Sequence, residues 1–388
     1  MPRIFIVGTA DTKGEELAFL AERVRARAGT PVVVDVGTRP SALAADHVIA
    51  DDGIRAMTDR GAAVAAMAEA FARFAAARSD IDAIVGIGGG GGTSIVAAGM
   101  RALPIGLPKL MVSTLAAGDV SAFVGVSDII MMPSVTDLAG LNRISRVVLD
   151  NAAGAIVGMT RDRVAEVAAR PAVGLTMFGV TTACVTAIAG RLRPEIDPVI
   201  FHATGAGGRS METLVDSGLL SGVLDITTTE VADLLMGGVL PAGPDRFGAI
   251  ARTRLPCVLS LGALDMVNFW APETVPERYR GRNLYRHNAN VTLMRTTAAE
   301  CRDIGAWIGS RLSACDGPLV VLIPERGVSA LDGAGGAFYD PDADAALFEA
   351  LAGTVAWTAR RRLVRLPLHI NDPEFAEAAV AAWREISR

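Results

Sequence analysis

The chain has 388 residues, 51% of them hydrophobic, with 37 basic against 42 acidic residues and a formal net charge of −5. That length suits two domains with a core each, while the balanced charge and 5% aromatic content exclude a basic nucleic-acid surface or a base-stacking platform. No apolar run is long enough to span a bilayer, and the four scattered cysteines form no CxxC pair, which points to reduced thiols rather than a disulfide framework or a thiolate metal site.

Residues 4–8 read as a buried strand entered directly from the amino terminus, without the charged, apolar and cleavage regions of a secretory signal, so a cytoplasmic setting is expected. A polar turn through Thr9, Asp11, Thr12 and Lys13 leads into an amphipathic helix to residue 28. Asp11 or Thr12 is its expected cap, with Glu15 or Glu16 completing a capping box. Residues 32–37 form the next strand, with Asp35 near its carboxyl end, and this β-α-β order implies a parallel sheet.

A helix over 61–78 then feeds a strand that opens into Gly88, Gly89, Gly90, Gly91 and Gly92, followed by Thr93, Ser94 and an Ala-rich helix. Glycines let backbone N–H groups approach a ligand closely, and a helix amino terminus favours negative charge, so a phosphate or carboxylate is the expected guest. The motif match is weak: Gly86, Gly88 and Gly91 satisfy G-x-G-x-x-G, as five consecutive glycines almost must. Gly92 stands where a Walker A loop needs lysine before Thr93. Strands over 109–114 and 128–132 follow, with loops from Ser113 and Thr114 to Gly118 and Asp119, and from Pro133 to Asp137. In open parallel sheets ligands sit outside the carboxyl ends of strands, where all these loops gather. Helices over 145–157 and 161–169 close the first half, giving domains at 1–171 and 172–388.

A second alternating series begins with a strand over 173–178, a helix to 191 and a strand over 198–202 ending at His202. Its next loop carries Gly205, Gly207, Gly208 and Arg209 and has two readings, a second anion-binding turn or a structural turn. Strands over 222–226, 257–260, 319–324 and 363–366 and helices over 297–310, 342–351 and 373–386 complete the pattern. The fold class is α/β: two Rossmann-like lobes, each a mainly parallel sheet flanked by helices, with an interlobe cleft.

Lys13 offers a point charge to phosphate. Asp11, Asp119 and Asp137 lie at strand ends where convergence would let them hold Mg²⁺ or accept a proton; singly, each is an ordinary cap or turn residue. Asp35 suits either a ribose contact or a structural hydrogen bond. Thr9, Thr12, Thr93, Ser94, Ser113 and Thr114 can donate to phosphate oxygens or cap helices. Asp119, His202 and Arg209 are candidate catalytic residues for a small phosphorylated or carboxylated metabolite. Arg295 is a second candidate anion clamp, and Glu230 reads as a capping-box acid. His287 and His369 lack zinc-type spacing.

Long motifs in one order then carry a resemblance across the whole chain. Gly8-Thr9-x-Asp11-Thr12-Lys13-Gly14-Glu15-Glu16, the glycine run, Ser113-Thr114-x-Ala116-x-Gly118-Asp119, Phe201-His202-Ala203-Thr204-Gly205-x-Gly207-Gly208-Arg209, Ile323-Pro324-Glu325-x-Gly327-Val328-Ser329-Ala330-Leu331-Asp332 and His369-Ile370-Asn371-Asp372 resemble the UPF0261 family of Tm-1-like ATP-binding domain proteins. The resemblance implies two α/β lobes, ATP as ligand and a homodimer or higher homo-oligomer. The plant member carries a further TIM-barrel-like region, so a separate TIM-barrel-like protein is an expected partner. A nucleotide-responsive regulatory or scaffolding role is a further expectation, and the family implies no firm reaction.

Overall fold

The computed structural model describes residues 1–161 and 170–388. The helix expected over 161–169 therefore falls almost wholly outside the described residues. The chain divides into two compact units, Met1–Glu166 and Val167–Arg388.

The first unit runs β1 (Arg3–Gly8), α1 (Ala10–Ala26), β2 (Thr30–Asp35), β3 (His47–Val48), α2 (Asp52–Arg55), α3 (Arg60–Ala76), β4 (Ala83–Gly88), α4 (Gly90–Arg101), β5 (Lys109–Ser113), α5 (Ser121–Val124), β6 (Ile130–Pro133) and α6 (Arg143–Met159). Its six strands are all parallel, in the order β3-β2-β1-β4-β5-β6. Alternation along β1 divides the core between the sheet faces. Ile4 and Ile6 pack with Leu17, Leu20 and Leu149 of α1 and α6, while Phe5 and Val7 pack with Met67, Phe71 and Val96 of α3 and α4. Helices on both faces leave no solvated side to the sheet, which is why its strands read as continuous apolar runs.

The expected capping box at the start of α1 does not form. No side chain of its own turn caps it; instead the Ala10 N–H donates to Asp35 Oδ1 at 2.9 Å, from the end of the neighbouring strand. Glu16 is buried and accepts the Gly140 N–H at 2.8 Å, which ties the loop before α6 to α1. The helix kinks at Lys13, where φ is −135°.

The second unit runs β7 (Ala172–Met177), α7 (Thr182–Leu192), β8 (Asp197–His202), α8 (Ala206–Asp216), β9 (Val223–Thr227), α9 (Glu230–Met236), α10 (Gly248–Thr253), β10 (Cys257–Gly262), β11 (Met266–Phe269), β12 (Leu284–Arg286), β13 (Thr292–Arg295), α11 (Ala298–Leu312), β14 (Leu319–Pro324), α12 (Pro341–Thr354), β15 (Arg361–Leu366) and α13 (Pro373–Ile386). Six strands again form a parallel sheet, ordered β15-β14-β10-β9-β7-β8. One face buries Val173, Leu175 and Leu224 against α7 and α13; the other buries Val223, Leu259 and Val321 with residues of α8, α11 and α12. A small antiparallel sheet, ordered β11-β13-β12, is a feature the sequence pattern did not announce. Among the described residues no helix is long and apolar enough to cross a membrane.

Candidate functional site

In the first sheet the chain order reverses between β1 and β4, which are hydrogen-bonded neighbours. A crevice at such a switch point, outside the carboxyl ends of the strands, is where open α/β sheets take ligands. The glycine run leaves β4 at this place, and its members are not equivalent. A Cβ on Gly86 would meet Val96 at 2.3 Å and one on Gly88 would meet the Thr93 nitrogen at 2.6 Å, so packing alone requires both to be glycine. Gly89, Gly90, Gly91 and Gly92 have room for a Cβ, with nearest atoms at 3.7, 3.7, 3.5 and 3.8 Å, and none has positive φ. Neither crowding nor backbone strain explains the absence of side chains there.

These four residues form the start of α4, whose N-cap is Gly89 and which carries no side-chain cap. A Cβ on Gly92 would stand 3.9 Å from the Thr9 side chain, and one on Gly89 would stand 3.7 Å from Thr114 Oγ1. Loops following β1, β4 and β5 thus meet around an uncapped helix end made of glycine. Thr9 and Thr12 pair through their hydroxyls at 2.8 Å.

Several residues expected at this site are engaged elsewhere. Thr93 and Ser113 are fully buried, joined hydroxyl to hydroxyl at 2.7 Å, and Ser113 Oγ also accepts the Leu115 N–H. Ser94 donates to the Gly90 carbonyl. Asp35 is buried, and its Oδ1 accepts the Ala10 and Gly37 N–H groups at 2.9 and 2.7 Å. Lys13 Nζ donates to the Leu138 carbonyl at 2.6 Å. Gly118 donates its N–H to the Leu115 carbonyl. Asp119 accepts the Ser121 N–H, a bond that holds its carboxyl below the usual range, and Asp137 accepts the Leu138 N–H. Asp11 differs: its Oδ1 is buried without a partner, and burial raises its pKa. Asp11, Asp119 and Asp137 are not gathered, for among the described residues no group of three or more His, Cys, Asp or Glu could hold a metal ion.

The second glycine loop, between β8 and α8, is built on the opposite principle. A Cβ would meet the Pro241 carbonyl oxygen at 2.2 Å from Gly205, the His202 carbonyl at 1.9 Å from Gly207, and Glu230 Oε1 at 1.8 Å from Gly208. The turn is filled by the protein's own anion: Glu230 Oε2 accepts the Gly205 N–H at 2.7 Å. Glu230 therefore does not act as the capping-box acid expected of it; its carboxylate turns inward, and Arg246 Nε donates to Oε1 at 2.6 Å. Arg246, buried as well, also binds Asp225 at 2.7 Å and Glu212 at 3.1 Å. Arg209 is exposed and donates to the Pro241 carbonyl at 3.3 Å.

A second buried ionic cluster surrounds Arg295, which pairs with Asp344 at 2.7 Å and lies 3.6 Å from Asp332. Arg295 is thus an internal anchor, not an exposed clamp. Burial together with the neighbouring Asp265 and Asp344 pushes the Asp332 carboxyl up to about 9. His369 is structural too: Nδ1 accepts the Asn371 N–H, so Nε2 carries the proton and donates to the Ser329 carbonyl at 2.8 Å.

His202 lies at the mouth of a cavity of about 300 Å³ at the carboxyl ends of β7 and β8, roofed by residues of β11 and β13. Its ring stands tilted against Phe178, with centroids 5.2 Å apart, and burial lowers its pKa. The remaining walls include Leu240, Asn268, Trp270, His287 and Leu293. Of these, His287 alone was singled out by the sequence pattern; Asn268 and Trp270 sit in and after a four-residue strand that carries no motif.

Two family models match nearly the whole chain: the amino-terminal domain of the uncharacterised protein family UPF0261 matches residues 2–165, and its carboxyl-terminal domain matches residues 170–387. The chain belongs to the UPF0261 family. A UPF0261 protein of Rhizobium meliloti (strain 1021) is 68% identical, the match covering 100% of both chains. A UPF0261 protein of Clostridium tetani is 44% identical over 97% of this chain and 96% of its own. The tomato ToMV resistance protein Tm-1(GCR237) is 42% identical over 100% of this chain and 56% of its own length.

Proposed function

We propose that the amino-terminal unit of this UPF0261 protein binds ATP, with its phosphates at Gly89–Gly92. One observation carries the reading: four successive glycines form an uncapped helix amino terminus at the sheet's switch point, and no packing requirement keeps them glycine. N–H groups there are the donors that a phosphate oxygen takes. The adenine nucleotide as guest rests on the Tm-1-like motif pattern, and the switch-point position supports it. Thr9, Thr12 and Thr114 supply hydroxyl donors around the loop. Asp11, whose Oδ1 lacks a partner, is the acceptor available to a ribose hydroxyl, because Asp35 Oδ1 already holds two backbone amides. The four buried, unpaired cysteines support a reducing, cytoplasmic compartment.

Isothermal titration of the full chain with Mg-ATP tests the reading through Gly90→Asp. The new carboxylate has room and suits a helix amino terminus, so the fold keeps its stability. ATP affinity is expected to fall at least about a hundredfold, since like charges about 4 Å apart cost about 4 kcal/mol at an effective dielectric of 20. Unchanged affinity in a folded Gly90→Asp protein would place the nucleotide elsewhere.

A further inference from the structure

We propose that the carboxyl-terminal unit carries a second, separate ligand site: the cavity at the ends of β7 and β8 takes an uncharged ring compound bearing at least one N–H or O–H donor, directed at Asn268 Oδ1. In the second sheet the strand order reverses between β7 and β9, with β8 on the outer side of β7. The residues after β7, Phe178, Gly179 and Val180, form one wall of the cavity. It therefore occupies the switch-point side of its sheet, as the glycine loop does in the other unit.

Asn268 specifies the polar contact. It is fully buried and lines the cavity. Asp233 Oδ1 receives both the backbone N–H and the Nδ2 of Asn268, at 2.8 and 3.1 Å, and Asp233 Oδ2 takes the Leu240 N–H at 2.8 Å. Burial raises the Asp233 carboxyl to about 6, so near pH 7 it is an acceptor. The amide must then present nitrogen to Asp233, which fixes the orientation of Asn268 by chemistry. Its Oδ1 is left without a partner and without accessible surface, so a ligand donor reaches it as the side chains between it and the cavity yield. An orphaned buried acceptor is destabilising because it has lost its water without gaining a partner, and a donor on a bound ligand restores that partner.

The walls set the class of the rest of the ligand. Among the described residues that line the cavity there is no Lys, Arg, Asp or Glu, so nothing there compensates the desolvation of a charged guest. His202, its pKa lowered by burial, is neutral near pH 7. Rings of Phe178, His202, Phe269 and Trp270 surround a space of about 300 Å³, whose size and apolar lining suit a compact ring system. Trp270 is 49% exposed at the opening. Gly179 is an exposed residue of the cavity lining, and a Cβ there would meet nothing within 4 Å.

The test uses the full chain labelled with 5-fluorotryptophan, the Trp270 fluorine resonance being identified from its loss in Trp270→Phe. Indole is expected to shift that resonance saturably. 1-Methylindole, the same ring without its donor, is expected to bind about tenfold more weakly, the worth of one hydrogen bond. Indole-3-acetamide is expected to bind at least tenfold more tightly than indole-3-acetate at pH 7.5. Gly179→Leu fills the space and is expected to abolish the shifts without lowering the melting temperature, while Asn268→Leu erases the difference between indole and its methyl derivative. Equal binding of indole and 1-methylindole, tighter binding of the acetate, no saturable shift with any probe, or shifts that survive in folded Gly179→Leu would each overturn the proposal. Should Asn268→Leu fail to fold, the indole pair and Gly179→Leu still decide it.

Discussion

Glycine carries two different meanings here, separable by what stands beside the missing side chain. Gly99 in α4 faces Phe71, and a Cβ there would lie 2.2 Å from the ring. Gly91, two turns earlier on the same helix, has 3.5 Å to its nearest neighbour. Gly99→Ala is expected to lose about 1–3 kcal/mol through overpacking, whereas Gly91→Ala, at an accommodating helical position, is expected to hold or slightly raise stability. Urea unfolding followed by circular dichroism measures both. Nothing in the sequence distinguishes crowded glycines from open ones, because the difference lies in Val96 beside Gly86, Thr93 beside Gly88 and Phe71 beside Gly99, and those contacts form only on folding. The same holds for Thr93 and Ser113: they read alike as phosphate donors or caps, and their mutual hydrogen bond depends on β5 lying beside β4.

At the level of elements, the parallel strands were legible because burial on both faces writes them as apolar runs. Helix ends were less so. Thr297 forms a capping box with Glu300, Oγ1 accepting the Glu300 N–H at 3.3 Å and Glu300 accepting the Thr297 N–H at 2.8 Å, as a T-x-x-E sequence before an apolar helix implies. Thr297→Ala is expected to cost about 1 kcal/mol, read as a lowered midpoint in thermal unfolding. At α1 the same reasoning fails, because a residue 25 positions away, Asp35, meets the first N–H group. The sheet of β11, β12 and β13 escaped notice since its strands have four, three and four residues, too short for period-2 alternation to register. The cavity roof depends on that sheet, so the wall residues Asn268 and Trp270 were illegible with it.

Across the whole molecule, each unit buries its own sheet between helices, and the second also holds carboxyls raised far above their ordinary range. Asp233 and Asp265 are each raised to about 6, and Asp332 to about 9, all chiefly by burial. Carboxyls raised above their ordinary 3.8 hold protons in the folded state that the unfolded chain has released. Their contribution to stability is therefore complete below that ordinary value and is lost as pH rises through the folded values. Asp332 faces Asp265, Asp344 and Arg295. Scanning calorimetry is expected to show the second unit melting progressively lower from pH 6 to 9. In Asp332→Asn, which cannot ionise there, the decline over that range should be smaller; an equal decline would assign the dependence to other groups.

If the amino-terminal unit binds ATP as proposed, the inward-turned Glu230 sets the expected stoichiometry. A carboxylate tethered within the fold is present at an effective concentration far above that of any free anion, and it already occupies the Gly205 turn, with Arg246 as its counterion. Two glycine loops at two helix starts would suggest two nucleotides for each chain. With one loop already holding its own anion, calorimetric titration with Mg-ATP should reach its end point at one nucleotide per chain.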